Sequence, residues 1–207
     1  MITMHEISRQ GPVIPVIVID ALDQAVPLAE TLVGAGLRVL EITLRTSVAL
    51  AAMEKIAKAV PGAIVGAGTI RKAEDITSAI NAGAQFGVSP GTPDALRAAI
   101  KSSGLPFLPG CSTATEAMTL ASDGFDVVKL FPAEAVGGVP FLRSLASPLP
   151  DIGFCPTGGI GAANASDYLS LPNVLCVGGS WMVRPETVAA RDWKEIDRQA
   201  RLAAALR

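Results

Sequence analysis

The chain has 207 residues, of which 17 are Lys or Arg and 19 are Asp or Glu, so 17% are charged against 50% hydrophobic, with a mean hydropathy of +0.44. Such a composition excludes a disordered chain, and a net charge of −2 with a pI near 5.4 gives no footprint for nucleic acid. The single histidine, His5, argues against a histidine-based triad or a His-rich metal site.

The length fits one domain spanning 1–207. The first eleven residues (MITMHEISRQG) lack the apolar core and cleavage site of a signal peptide. The most apolar run, Pro12–Ile19, has only eight residues and two prolines, where a membrane helix needs about 20 apolar residues. A cytoplasmic protein with no membrane association is expected.

From there a unit repeats: a short β-branched run, a Gly/Pro/Thr/Ser loop, then an Ala/Leu-rich stretch. The expected strands are Val13–Ile19, Arg38–Thr43, Ala63–Val65, Ala84–Val88, Pro106–Leu108, Asp126–Leu130, Gly153–Cys155 and Val174–Val177. The expected helices are Leu22–Ala35, Val48–Val60, Ala73–Ala82, Pro93–Ser103, Thr113–Ser122, Ala163–Leu171 and Trp193–Leu206. Gly36 and Gly83 stand where helices should end. Thr92 precedes a proline at a helix start, and Thr113 with Glu116 has the look of a capping box.

Eight β–α units with apolar strands imply a parallel sheet with helices outside. An open doubly wound sheet and a closed (β/α)8 TIM barrel both fit. The count of eight, the even unit length and the absence of a composition break favour the barrel. In that fold the site lies in the loops that follow the strands. Those after strands two to eight run Glu41–Thr46, Gly66–Thr69, Ser89–Thr92, Pro109–Ser112, Lys129–Glu134, Cys155–Gly159 and Gly178–Trp181.

Lys129 is the most informative residue, because the other five lysines lie in or at the ends of helical stretches. Burial penalises the charged form of an amine, and a neutral amine attacks carbonyls. Lys129 thus reads as a Schiff-base nucleophile, or else as a buried lysine paired with an acid or snorkelling from an edge. Glu41 is the second charge inside an apolar strand. Alternation puts Val39, Glu41 and Thr43 on one face, where Glu41 could meet Lys129 and move protons. A purely structural ion pair is the weaker reading, since buried pairs contribute little net stability.

Arg45 suits a carboxylate. The glycine-rich ends Thr157-Gly158-Gly159 and Gly178-Gly179-Ser180 suit a phosphate held by backbone N–H groups, or else are tight turns. Gly66-Ala67-Gly68 is a poor dinucleotide fingerprint, with Arg71 in place of the third glycine. Cys111, Cys155 and Cys176 form no CxxC pair and read as buried thiols.

In this order, EITLRT, VGAGTI, GVSPG, LPGCST, VKLFPAE, FCPTGGI and LCVGGSW resemble the bacterial 2-keto-3-deoxy-6-phosphogluconate and 4-hydroxy-2-oxoglutarate aldolases. The resemblance runs from about Gly11 to Trp181. It implies a (β/α)8 fold, a homotrimer, and a class I aldolase that uses no metal or other cofactor. It implies Lys129 as the Schiff-base lysine and Glu41 as general acid/base. Arg45 and Thr69 would hold the pyruvyl carboxylate, with Pro90 and Phe131 as pocket walls. Thr157, Gly158, Gly159, Gly179 and Ser180 would form the distal, phosphate-binding end. Some members carry an arginine in the first strand. Here the run is Pro15-Val16-Ile17-Val18, and that cation is absent. Two other classes stay open on the residues alone: a sugar-phosphate isomerase or epimerase, and a non-catalytic keto-acid binder.

Overall fold

The computed structural model describes residues 2–206. Its strands are β1 (Val13–Ile17), β2 (Val39–Thr43), β3 (Ile64–Gly68), β4 (Phe86–Val88), β5 (Phe107–Leu108), β6 (Gly110–Cys111), β7 (Val127–Leu130), β8 (Gly153–Pro156) and β9 (Val177–Gly179). Its α-helices are α1 (Met4–Ser8), α2 (Ala25–Gly34), α3 (Ala49–Ala59), α4 (Ala73–Asn81), α5 (Asp94–Ser103), α6 (Ala114–Ser122), α7 (Gly138–Leu145), α8 (Ala165–Leu169), α9 (Pro185–Ala189) and α10 (Trp193–Ala204).

Every named strand pairing is parallel, and helices connect the strands, as the repeating unit requires. Six strands join in the order β5-β4-β3-β2-β1-β9, and three in the order β6-β7-β8. The fifth expected strand, Pro106–Leu108, is found as β5, and past Pro109, whose carbonyl accepts the Lys129 N–H at 2.8 Å, the chain forms the further strand β6. Two isolated parallel bridges link the neighbourhoods of β8 and β9: Phe154 in β8 to Val174 before β9, and Thr157 just after β8 to Gly178 in β9.

Alternation along the strands sorts side chains into two apolar layers. One packs against the helices and includes Ile17, Leu40, Ile42, Val65, Val128, Leu130 and Phe154. The other gathers Ile14, Val39, Ile64, Phe86, Val127 and Cys176, from strands of both sheets, into a single cluster. The strands therefore curl around a shared interior. Helix α1 plugs one end of it with Met4 and Ile7, the latter fully buried.

The predicted capping box is present: Thr113 accepts the Glu116 N–H, and Glu116 accepts the Thr113 N–H. Gly36 and Gly83 adopt positive φ at 101° and 86°, as helix-ending glycines do. Other expectations shift. Helix α5 starts at Asp94, not Pro93, and Thr92 instead donates its hydroxyl to the Gly110 carbonyl at 2.9 Å. The last strand lies at Val177–Gly179, three residues later than expected. Three helices fall outside the sequence expectation. Helix α1 is too short to show a period, α7 opens at Gly137-Gly138 and carries Pro140 in its first turn, and α9 is five residues long and begins at Pro185. Proline is tolerated there because first-turn N–H groups have no partner within the helix.

Ile7→Ala should destabilise the fold by about 2–5 kcal/mol, the usual cost of emptying a packed site. Urea denaturation measures it. A loss near zero would mean that α1 is not the plug its burial indicates.

Candidate active site

Val39 and Val127 both enter the interior cluster. Two residues further along each strand, on the same face, come Glu41 and Lys129. They stand immediately above that apolar floor. Glu41 is 2% exposed and Lys129 4% exposed, and Lys129 Nζ lies 3.3 Å from Glu41 Oε1. The Lys129 ammonium also sits 5.6 Å from the centre of the Phe131 ring, within cation–π range.

Neighbouring glycines make the room. Gly66 pairs with Glu41 on one side and Phe86 on the other. A Cβ on Gly66 would strike the Phe86 ring at 2.3 Å, and one on Gly68 would strike Glu41 Oε1 at 2.3 Å. The Glu41 carboxylate thus occupies space that any other residue at position 68 would fill.

Arg45 and Thr69 follow β2 and β3. The Arg45 Nε donates to Thr69 Oγ1 at 3.0 Å. Thr69 holds φ at 62°, a strained conformation for a β-branched residue and of the kind that concentrates at working sites. Pro90 is half-buried, and its backbone abuts Gly110, where a Cβ would meet the Pro90 carbonyl carbon at 2.4 Å. Ser89, fully buried, accepts the Gly110 N–H at 3.2 Å and so fixes this approach.

Thr157 is buried and pairs with Gly178, and its Oγ1 has no hydrogen-bond partner. Gly158 and Gly159 turn away at φ of 100° and 78°, which only glycine adopts freely. The Thr157 and Gly158 carbonyls accept the Ala133 and Glu134 N–H groups at 2.8 and 3.1 Å. This glycine turn is therefore lashed to the segment that continues from the lysine strand. Gly179 lies within β9, not in a loop, where the Trp181 ring occupies the place of a side chain. Ser180 is exposed and, with Arg45, lines a pocket of about 220 Å³.

The structure thus brings together Lys129 with Glu41, Arg45 with Thr69, and Ser180 with Arg45 across one pocket. Three residues were passed over in the sequence. Ser89 positions Pro90. Glu134 accepts a hydrogen bond from the buried Tyr168 hydroxyl and lies under Gly159. Asp20, in the loop after β1, lines the same pocket as Arg45 and Ser180. Its position after a strand was the available signal.

The three cysteines are buried. Burial, helped by Glu116, pushes the Cys111 thiol up to about 12. Among the described residues no three His, Cys, Asp or Glu side chains gather as a metal ion would require.

Residues 4–199 match the model of the KDPG and KHG aldolase family. The KHG/KDPG aldolase of Escherichia coli K12 is 49% identical over 197 residues, covering 95% of this chain and 92% of that one. A crystal structure of the Legionella pneumophila KDPG aldolase, with pyruvate captured at low pH as a covalent carbinolamine intermediate, superposes with a TM-score of 0.96. It shares 40% identity, with 99% of each chain covered. The Zymomonas mobilis ZM4 aldolase with 3-phosphoglycerate superposes with a TM-score of 0.92 at 44% identity, covering 99% of this chain and 96% of that one.

Gly68→Ala should keep the fold at a cost of about 1–3 kcal/mol, the usual penalty of overpacking. A crystal structure of the variant should show the Glu41 carboxylate swung off Lys129. An unchanged pair in a variant of wild-type stability would contradict the packing described.

Proposed function

The chain belongs to the KDPG and KHG aldolase family, and on that premise we propose that it cleaves 2-dehydro-3-deoxy-6-phosphogluconate and 4-hydroxy-2-oxoglutarate. The products are pyruvate and an aldehyde, glyceraldehyde 3-phosphate or glyoxylate, and the reaction is reversible. The observation that carries this reading is the buried Lys129–Glu41 pair at 3.3 Å.

Once its proton passes to Glu41, the Lys129 amine attacks the C2 ketone. Glu41 gives that proton to the C2 oxygen and then relays a second one from the nitrogen, so the oxygen leaves as water and a protonated imine remains. A carboxylate beside the imine then takes the C4 hydroxyl proton. The C3–C4 bond breaks, its electrons moving into the imine to give an enamine, and the aldehyde departs. Protonation at C3 and hydrolysis release pyruvate and regenerate the amine. One carboxyl serves each step because it alternates between base and acid.

Arg45, with five N–H donors, and Thr69 hold the pyruvyl carboxylate in this proposal, and their 3.0 Å contact supports a joint role. Pro90 and Phe131 wall the imine. The unpartnered Thr157 hydroxyl is satisfied by substrate, as a buried polar atom requires. Gly158, Gly159, Gly179 and Ser180 receive the phosphate end. The positive φ of Gly158 and Gly159 supports this, since such turns present backbone N–H groups outward.

The proposal includes a closed (β/α)8 barrel in a single domain. Supporting closure are the two bridges linking the neighbourhoods of β8 and β9 and the bond from Lys129 across to Pro109, between β5 and β6. Counting β5 and β6 as one interrupted strand restores eight. The homotrimer and the cytoplasmic setting rest on the family resemblance. Among the described residues no helix is long and apolar enough to cross a membrane.

Borohydride added with pyruvate should leave a reduced adduct on Lys129, located by mass spectrometry of the digest. No adduct, or an adduct on another lysine, would remove the mechanism and favour non-covalent isomerase chemistry. Glu41→Gln should keep the fold and lose roughly 10²–10⁴-fold in turnover, measured as pyruvate release with lactate dehydrogenase. Turnover near that of the native enzyme would take Glu41 out of this role.

A further inference from the structure

Alternation along the end of β1 directs Val16, Val18 and Asp20 to one side, and all three line the 220 Å³ pocket shared with Arg45 and Ser180. The charged side chains on its wall are Asp20 and Arg45. Arg45 is turned toward Thr69 by its Nε bond. The neighbouring acid Asp23 pairs with Arg191, whereas among the described residues Asp20 has no Lys or Arg partner. The pocket wall therefore offers Ser180, four valines, the Arg45 guanidinium and, in Asp20, a carboxylate with no ion-pair partner among the described residues.

We propose that Asp20 is a specificity-determining residue that lowers the enzyme's preference for phosphate-tailed 2-keto acids relative to those with an uncharged, hydroxylated tail. This deepens the aldolase reading above and rests on it. A phosphate dianion in this pocket faces a like charge, which raises the free energy of its complex. A hydroxyl tail instead donates a hydrogen bond to the same carboxylate. Asp20 is exposed to solvent, so screening by salt keeps the effect modest.

The test uses the full chain and two probes that share the keto acid: 2-dehydro-3-deoxy-6-phosphogluconate and 2-dehydro-3-deoxygluconate. The readout is the ratio of kcat/KM for the phosphorylated probe to that for the unphosphorylated one. Asp20→Asn should raise this ratio roughly three- to tenfold, and Asp20→Lys should raise it further. The difference between Asp20→Asn and the native enzyme should shrink as salt is raised. Pyruvate release with an unchanged ratio, an equal change for both probes, or a salt-independent effect overturns the proposal while leaving the aldolase reading intact. No pyruvate from either probe with the native chain overturns the aldolase reading, and this one with it. Activity of the variants on the unphosphorylated probe reports that they fold.

Discussion

A lysine and a glutamate, both nearly sealed from water, set the terms for the rest of this molecule. Removing two charges from water costs several kcal/mol each, and their mutual attraction offsets this only when geometry and surroundings cooperate. At 3.3 Å the contact is longer than a tight charge-assisted hydrogen bond. A pair kept only for stability would be expected to close up or to be replaced by apolar residues. This one is held slightly apart, with an aromatic face near the ammonium and glycine backbone beside the carboxylate. On the proposed chemistry, that spacing would keep a proton carrier beside the attacking amine.

Much of the surrounding architecture serves to keep that gap. The apolar cluster below fixes the strands that carry both residues, and the absence of side chains at Gly66 and Gly68 lets Phe86 and Glu41 cross the interior. Thr43 donates to the Ile17 carbonyl at 2.9 Å and Thr46 to the Ile19 carbonyl at 2.6 Å, so the loop carrying Arg45 is anchored to the neighbouring strand. On the other side, two backbone bonds tie the Thr157–Gly159 turn to the stretch that follows Lys129. The groups that would act on one substrate thus sit on elements that brace each other.

The centre of this site was legible because charge is scarce. A lysine or glutamate within a run of valine, leucine and isoleucine has few structural reasons to be there, so Lys129 and Glu41 stood out without a structure. The capping box at Thr113 was legible for a similar reason, since local chemistry dictates it. What could not be read was decided by tertiary packing. Gly178 and Gly179 look like turn residues, yet Thr157 and Trp181 pack into the space they leave, and so they belong to a strand. Helix α7 was hidden by its glycines, though Leu142 and Leu145 pack inward from it. Asp20 drew no notice in the sequence, and only the fold places it on the wall of the pocket that Ser180 and Arg45 also line.

The plugged floor beneath Lys129 has a kinetic meaning. Met4, Ile7 and the cluster around them fill the interior from below, so small molecules reach the lysine only from the strand ends above it. On the proposed chemistry the pyruvyl portion, bonded to the lysine, would be the innermost part of the substrate, with the aldehyde portion between it and solvent. Cleavage on this chemistry has one possible sequence of departures, aldehyde first and pyruvate second, and synthesis has the reverse sequence of arrivals. The covalent bond to the lysine sets that order, and the plugged floor leaves both products the same way out.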